Sequence, residues 1–410
     1  MRKIALCLAM LVLACSFTLG QTEKVLYSFG TNPNDGTQPP STSSLTLDSH
    51  GNLFGITPYG GSLGGGTVFG LSPNSDGTWD ETTLYDFCDS DSCPNGTRPQ
   101  GALVLDSKGN LYGATAFGGA PCCGVVYELS PPSIPGGNWT QTVLHSFCQS
   151  SCADGAVPNA SLLFDKLGNL YGSTQAGGPQ NSGVVFELSP GPGGAWTETI
   201  LYTFCQQSGC SDGAAPFQGV IFDKFGHLCG TTSGGGKNGY GVLFELSPGS
   251  SWNETVLYNF SAPPNTYLTV SFFGPLSIDP FGNIYTTATW LADNRGDYFP
   301  GDVYEFTTNG SVNIYPFRGA NGSGPLSGVI VDKKRRVVYG TTSEAKQQRG
   351  DVFQLNAHGG EAVLYTFCHQ TGCADGKVPG GLVEDKFGNL YGATELGGAN
   401  NEGVVFEITP

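Results

Sequence analysis

The sequence predicts an all-β fold, a single seven-bladed β-propeller of four antiparallel strands per blade. Three observations predict it. Four short phrases recur in fixed order, seven times each, along 410 residues. The phenylalanine closing one of them falls at Phe29, Phe87, Phe147, Phe204, Phe260, Phe317 and Phe367, in steps of 58, 60, 57, 56, 57 and 50 residues. Each phrase is a run of β-branched, aromatic and aliphatic residues bounded by Gly, Pro, Asp or Asn, which is a strand signature. No stretch keeps a 3.6-residue period, so helix should be nearly absent. Four strands repeated seven times is the arithmetic of a propeller.

The elements of one repeat follow in order. An apolar run ending in Asp, such as "ALVLD" to Asp106 or "VIFD" to Asp223, is the innermost strand. The pattern D-x-x-G-N after it is a tight hairpin, in which Asp accepts backbone N–H groups and Gly takes positive φ. "NLYGAT" and its variants are the second strand. Its mid-strand glycines, Gly55, Gly113, Gly172, Gly230, Gly340 and Gly392, read as points where the neighbouring blade packs close. "GVVFELSP", from Gly183 and again nearly intact from Gly403, is the third strand. A joint of the form SP…G…W leads to the outermost strand, "TVLHSF" and its kin. From each closing Phe, roughly a dozen residues pass to the innermost strand of the next blade.

The chain opens on an outermost strand, "VLYSF" at Val25, and ends on a third strand, "GVVFEI". The N-terminal strand is therefore expected to complete the last blade and close the ring, removing a sheet edge. Blades five and six depart from the pattern. Blade five has Thr286 at the glycine position and a longer loop from Trp290 to Pro300; blade six has an extra residue in "DKKRRVVYGTT".

The phrases GNLYGAT-x-x-GG and GVVFELSP resemble the GloVer tandem repeat of exported bacterial proteins, from Val25 to Pro410. The resemblance implies a secreted or surface-anchored protein of propeller-like repeats. It brings no established activity and no catalytic residues.

Residues 1–20 read as a signal peptide: Arg2 and Lys3 precede "IALCLAMLVLA", an apolar run too short to cross a bilayer. "FTLG" before Gln21 suits ordinary cleavage, and "LVLAC" resembles a lipobox that would lipidate Cys15. Residues 23–410 form the propeller. No second apolar run follows, so no transmembrane span is expected, and localisation is extracellular or cell-surface. The formal net charge is −16 with only 13% charged residues, which sets the chain against nucleic acid and anionic lipid.

Thirteen cysteines occur. Eight form close pairs after an outermost strand: Cys88 with Cys93, Cys148 with Cys152, Cys205 with Cys210, and Cys368 with Cys373. Their spacing also fits zinc half-sites. The pairs lie in different blades and the chain is read as exported, so disulfides are expected. Cys122 and Cys123 are adjacent, a candidate vicinal disulfide. Cys229 replaces the tyrosine of a second strand and reads as a buried thiol.

The five histidines, at 50, 145, 227, 358 and 369, share no metal-ligand spacing, and neither G-x-S-x-G nor H-E-x-x-H is present. Asp48, Asp106, Asp165, Asp223, Asp279, Asp332 and Asp385 recur before hairpins and read as turn caps. Asp35, Asp154, Asp212 and Asp375, with Asn95 in the same place, recur as "DG" in the long loops. They read as turn chemistry or as a crown of ligand or calcium contacts. Glu128, Glu187, Glu245, Glu305 and Glu407 read as a solvated stripe, and "KKRR" at Lys333 to Arg336 as a solvated turn.

The expected function is a non-catalytic binding or adhesion propeller for an extracellular ligand, a glycan or cell-envelope component. The alternatives are a carbohydrate- or lactone-directed lyase or hydrolase at the central mouth, and a structural spacer. Long loops and second-to-third-strand loops share one face, and the short hairpins occupy the other. The expected ligand site is on the loop face near blades five and six, with Trp290, Tyr298, Tyr59, Phe117 and Tyr240 as exposed stacking aromatics, joined by Asp35, Asp154, Asp212 and Asp375. No cofactor is expected, and the chain is expected to be a monomer.

Overall fold

The computed structural model describes residues 22–409 apart from 89–91, 121, 135, 150, 160, 263–267, 293–297, 318–321, 333, 335, 344–348 and 357–358. The signal-peptide and lipobox readings lie outside the described residues. Seven separate antiparallel sheets follow one another around the ring, one per blade. Blade two shows the pattern in full. Its strands Thr97–Leu105, Leu111–Phe117, Val125–Ser130 and Thr140–Ser146 pair in that spatial order, from innermost to outermost. Among the described residues the helical segments are three short 3₁₀ turns.

Closure occurs as the phrase order requires. Thr22–Ser28 pairs antiparallel with Val404–Thr409, from Thr22 opposite Thr409 to Ser28 opposite Val404. Blade seven is thus one strand from the start of the chain and three from its end.

The closing phenylalanines lie between blades. Phe29, Phe87, Phe147, Phe204, Phe260 and Phe367 are at most 1% exposed. Phe147 meets Phe186 of blade three edge-on at 5.2 Å, and Phe204 meets Phe244 of blade four at 5.0 Å. Each blade therefore drives an aromatic wedge into the next, which gives a repeating apolar interface.

The mid-strand glycines serve a different neighbour from the expected one. A Cβ on Gly172 would lie 2.6 Å from Phe186 Cζ, and one on Gly230 would lie 2.4 Å from Phe244 Cζ. Gly172 pairs directly with Phe186 across the sheet. The glycine makes room for the third-strand phenylalanine of its own blade, not for the neighbouring blade. The wedge from the preceding blade then packs on that same ring.

The hairpin aspartates act as caps. Asp106 Oδ1 accepts N–H bonds from Lys108 (2.8 Å) and Asn110 (2.9 Å), and Oδ2 accepts the Asn110 side-chain amide at 2.9 Å. Asp48, Asp165, Asp279 and Asp385 repeat the arrangement. Asp48 and Asp165 titrate below the usual carboxylate range: these hydrogen bonds to the charged form outweigh the opposing effect of burial, which is the largest single influence.

Candidate functional site

The innermost strands converge on a narrow axial cavity of about 180 Å³. Ser43, Ser44, Ser161, Ser277 and Ser327 line it with backbone from blades one, three, five, six and seven. Among the described residues, those lining it carry no ionisable side chain.

The larger cavities lie between blades on the hairpin face. In the regular blades the tryptophan before the outermost strand covers the second-strand aromatic of the preceding blade. Trp79 sits 6.1 Å from Tyr391, Trp139 6.4 Å from Phe54, and Trp196 6.4 Å from Tyr112. Trp252 packs in the cluster that holds Tyr171. The outermost strands of blades five, six and seven carry no tryptophan at this place. Two clefts lie at the seams that blade five makes with its neighbours.

The first lies between blades four and five and measures about 370 Å³. Here Cys229 also stands where a tyrosine would be, so both large rings are missing. Its walls include Leu243, Leu257, Ile284 and Phe306, with Cys229, Asp223 and Glu245 at the polar end. Cys229 is 1% exposed, the buried thiol expected; burial pushes its thiol up to about 12, helped by the charges of Glu245 and Asp223.

The second lies between blades five and six, about 200 Å³. Phe281, Tyr285 and Tyr315 give it aromatic walls, and Glu305, Asp332 and Arg336 give it charge. Glu305 is held by three donors: Tyr285 Oη at 2.7 Å, Tyr315 Oη at 2.8 Å and the Asn313 amide at 2.8 Å. The Arg336 guanidinium stands 4.9 Å over the Phe281 ring. Burial, then the bond to Glu305, pushes the Tyr315 hydroxyl up to about 12, so both tyrosines are neutral donors at any ordinary pH. The third-strand glutamates are consequently not a simple solvated stripe. Glu407 likewise accepts Tyr391 Oη at 3.2 Å, and Glu128 accepts Ser130 Oγ at 2.8 Å.

The rim of this face is both apolar and cationic. Leu167, Phe225, Phe281 and Phe387, at the hairpin tips of blades three, four, five and seven, are exposed by 83, 71, 55 and 74%. Lys224 and Lys386 stand 5.1 Å over Phe225 and Phe387.

The loop face differs from expectation. Trp290 is fully buried, packed against Tyr240 at 6.1 Å and Phe273 at 6.4 Å, with Nε1 donating to Asp302 at 3.1 Å. The long strand Ile284–Ala292 keeps it inside the sheet, opposite Phe299 and Ser271. Tyr240 is half-buried against it. The side chain of Tyr298 lies outside the described residues. Tyr59 and Phe117 are exposed, by 47 and 36%, and flank Arg98, whose guanidinium is 5.9 and 5.6 Å from their ring centres. Among the expected aromatics whose side chains are described, these two are the surface groups, and they lie by blades one and two.

The "DG" aspartates form no open crown. Asp35, Asp212 and Asp375 are at most 5% exposed. Each accepts a tyrosine hydroxyl of the preceding outermost strand: Tyr27 at 2.8 Å, Tyr202 at 2.9 Å and Tyr365 at 2.8 Å. Each also anchors loop N–H groups, as Asp212 does for Gln206 at 2.9 Å. A glutamate from the next blade lies beside each pair. Burial pushes Glu23, Glu81 and Glu254 up to about 7, with the neighbouring aspartate charge second. In blade one the seam is neutral: Tyr85 Oη donates to Gln141 at 3.0 Å and accepts from Asn95 at 3.0 Å. In blade two the tyrosine is replaced by His145, which faces Asp154 and Glu198.

All four expected disulfides are present: Cys88–Cys93, Cys148–Cys152, Cys205–Cys210 and Cys368–Cys373. Cys122 and Cys123 are free thiols 3.9 Å apart, not a vicinal disulfide. His358 lies outside the described residues.

The sequence pointed to blades five and six as the unlike part of the ring, and the clefts are there, but on the hairpin face. The missed signal was the tryptophans. Four of the five share one repeat position and three repeats lack it; each of the two clefts lies at the seam of a repeat without it.

Together these features define a repeat-built propeller, stapled by disulfides and cleft where its repeat degenerates. The chain belongs to the Gloeobacter/Verrucomicrobia repeat family, whose model matches residues 14–153 and 93–289. No curated protein matches it. Among solved structures it is similar to a polysaccharide lyase PL25 ulvan lyase bound to -[GlcA(1-4)Rha3S]-. That likeness has a TM-score of 0.54 at 10% identity, covering 93% of this chain and 94% of that one. It is similar to the polysaccharide lyase Uly1, with a TM-score of 0.52 at 9% identity, over 95 and 98% of the two chains. A protein of unknown function from Dyadobacter fermentans matches at TM-score 0.44 and 12% identity, over 95 and 98%. At such identities the likeness is one of fold. Four disulfides, with no helix among the described residues long and apolar enough to cross a membrane, fit an exported protein.

Proposed function

We propose that this is an exported, non-catalytic glycan-binding propeller whose ligand lies across the hairpin face and enters the cleft between blades five and six. The observation that carries the reading is that cleft. Aromatic walls (Phe281, Tyr285, Tyr315) meet a convergent polar set (Glu305, Asp332, Arg336) in a volume fit for one sugar ring. Sugar rings offer apolar C–H faces and a rim of hydroxyls, and this combination answers both.

The exposed tips Phe225 and Phe387 extend the platform on either side, which suits a chain of sugars better than a monosaccharide. The innermost hairpins hold eight of the eighteen basic residues: Lys108, Lys166, Lys224, Lys333, Lys334, Arg335, Arg336 and Lys386. Their aspartates are turned inward as caps, so the cations dominate the rim. That favours a glycan carrying carboxylate or sulfate, although the molecule as a whole is acidic. The same fold carries an acidic sugar chain in the ulvan lyase. Export through the N-terminal apolar segment, with or without a lipid on Cys15, would place the protein where such polymers occur.

The test is a panel of acidic and neutral oligosaccharides titrated against the purified mature protein. Binding of an acidic oligosaccharide should weaken with salt. Phe281→Ala and Arg336→Ala should each cost tenfold or more, about 1.4 kcal/mol, while Tyr59→Ala and Phe117→Ala leave it unchanged. Loss on the Tyr59 and Phe117 substitutions alone would return the site to the loop face.

A further inference from the structure

We propose that His145, Asp154 and Glu198 form a binding site for a divalent cation of the zinc class, clipping blade two to blade three independently of glycan binding. In three of the other blades, three, six and seven, the equivalent seam is closed by a tyrosine hydroxyl donating to the loop aspartate at 2.8–2.9 Å. His145 breaks the series. Its Nε2 lies 3.5 Å from Asp154 Oδ2 and 3.5 Å from Glu198 Oε2. Both separations are too long for a hydrogen bond. They are close to the spacing that a shared metal imposes, since a tetrahedral site with bonds of about 2.1 Å has ligand–ligand edges of about 3.4 Å. One ligand atom from each residue lies within 4.8 Å of the other two.

A second observation concerns the polar atoms left over. His145 Nε2 is shut off from solvent and has no hydrogen-bond partner; Glu198 Oε1 is also without one, as is the same atom of Glu23 and Glu254 at the tyrosine seams, so the histidine nitrogen is the distinguishing atom. Buried polar atoms are normally satisfied, so an orphaned imidazole nitrogen aimed at two carboxylates calls for a ligand. The donor set, one imidazole and two carboxylates, suits zinc and its first-row neighbours better than calcium, which takes six to eight oxygens.

The support around the site is built in. Asp154 is oriented by N–H bonds from Cys148 at 3.1 Å and Gln149 at 3.2 Å, and its loop is pinned by Cys148–Cys152. Such outer contacts hold ligands in position before the metal arrives. Asp223, His227 and Glu245 form a second His–carboxylate group. There His227 Nδ1 is likewise without a hydrogen-bond partner, but the residue is 29% exposed against 17% for His145, so it is the wetter of the two.

The experiment is calorimetric titration of the mature protein with zinc chloride after dialysis against a chelator, with cobalt absorption as a second readout. One equivalent should bind, and the cobalt spectrum should show a nitrogen–oxygen environment. His145→Tyr, which restores the residue of the other blades, should fold normally and lose at least a hundredfold in affinity. Glu198→Gln should lose affinity as well, and His227→Asn should not. Wild-type affinity in His145→Tyr, loss confined to His227→Asn, or no binding at roughly 0.1 mM zinc would each overturn the assignment.

Discussion

Single residues decide what each seam of this ring can do. Tyrosine at the outermost-strand position makes a hydrogen bond, histidine brings three metal-ligand types together, and cysteine in the second strand of blade four opens a cavity. The seam glutamates add a pH dependence. Burial raises Glu81 and Glu254 from the ordinary 4.5 to about 7, with the charges of Asp35 and Asp212 as the second cause. Between pH 4.5 and 7 the folded chain keeps protons that the unfolded chain has released, so stability falls as pH rises through this window. The capping aspartates work in the opposite sense at lower pH, because Asp48 and Asp165 titrate below 3.8 and lose stability as pH drops past it. Maximal stability is expected near pH 4–5. Both glutamates are part-exposed and screened, so about 1 kcal/mol each is a fair ceiling. Glu81→Gln and Glu254→Gln should raise the melting temperature at pH 8, leave it unchanged at pH 4, and flatten the profile between. A steeper profile in the variants would contradict the assignment. The glycines give a second residue-scale expectation. Gly172→Ala places a methyl on the Phe186 ring and should cost roughly 1–3 kcal/mol by overpacking, read from denaturant unfolding.

At the scale of elements, strands and hairpins were legible because their signals are local. A turn such as D-x-x-G-N needs no partner from elsewhere in the chain, and Asp106 caps Asn110 as its spacing requires. Disulfides at separations of four and five residues were legible for the same reason. Contacts between blades were not. His145 and Glu198 are 53 positions apart, and nothing along the chain shows that one outermost strand presents its side chains to the next. Trp290 was misread because exposure was inferred from an irregular loop, whereas the residue still belongs to the strand Ile284–Ala292. The disulfide loops yield a prediction separable from the glycan reading. Replacing Cys205 and Cys210 by serine opens a loop of very few residues, which the chain-entropy model values at about 2 kcal/mol. The melting temperature should fall by a few degrees. Binding in the cleft between blades five and six should not change, because that cleft is on the opposite face. Loss of glycan binding in this variant would place the ligand on the loop face.

At the scale of the whole molecule, seven near-equivalent sheets repeat one interface around the ring. Each apolar interface is shared with a neighbour, as Phe147 and Phe204 illustrate, so a ring has no unpaired blade face while an open arc has two. Blade seven alone is assembled from both ends of the chain. Its outermost strand, Thr22–Ser28, contributes Leu26 and, just beyond, Phe29, which is fully buried and lies 5.0 Å from Phe69 of blade one. The same strand supplies Tyr27 to Asp35 and Glu23 to the seam with Tyr365 and Asp375. Deleting residues 22–30 of the mature chain would thus remove a row of ladder hydrogen bonds from Val404–Thr409, unseat one aromatic wedge, and expose a sheet edge of the kind that recruits other chains. The loss is expected to exceed any single substitution above. The truncated protein should melt many degrees lower and aggregate on heating, with hydrogen exchange faster first in blades seven and one. Adding the nine-residue segment back as a peptide should partly restore the melting temperature, since the groove it fills is specific. A truncated chain that melts with the intact one would show that the ring is held by its blade interfaces alone and that closure by the N-terminal strand is dispensable.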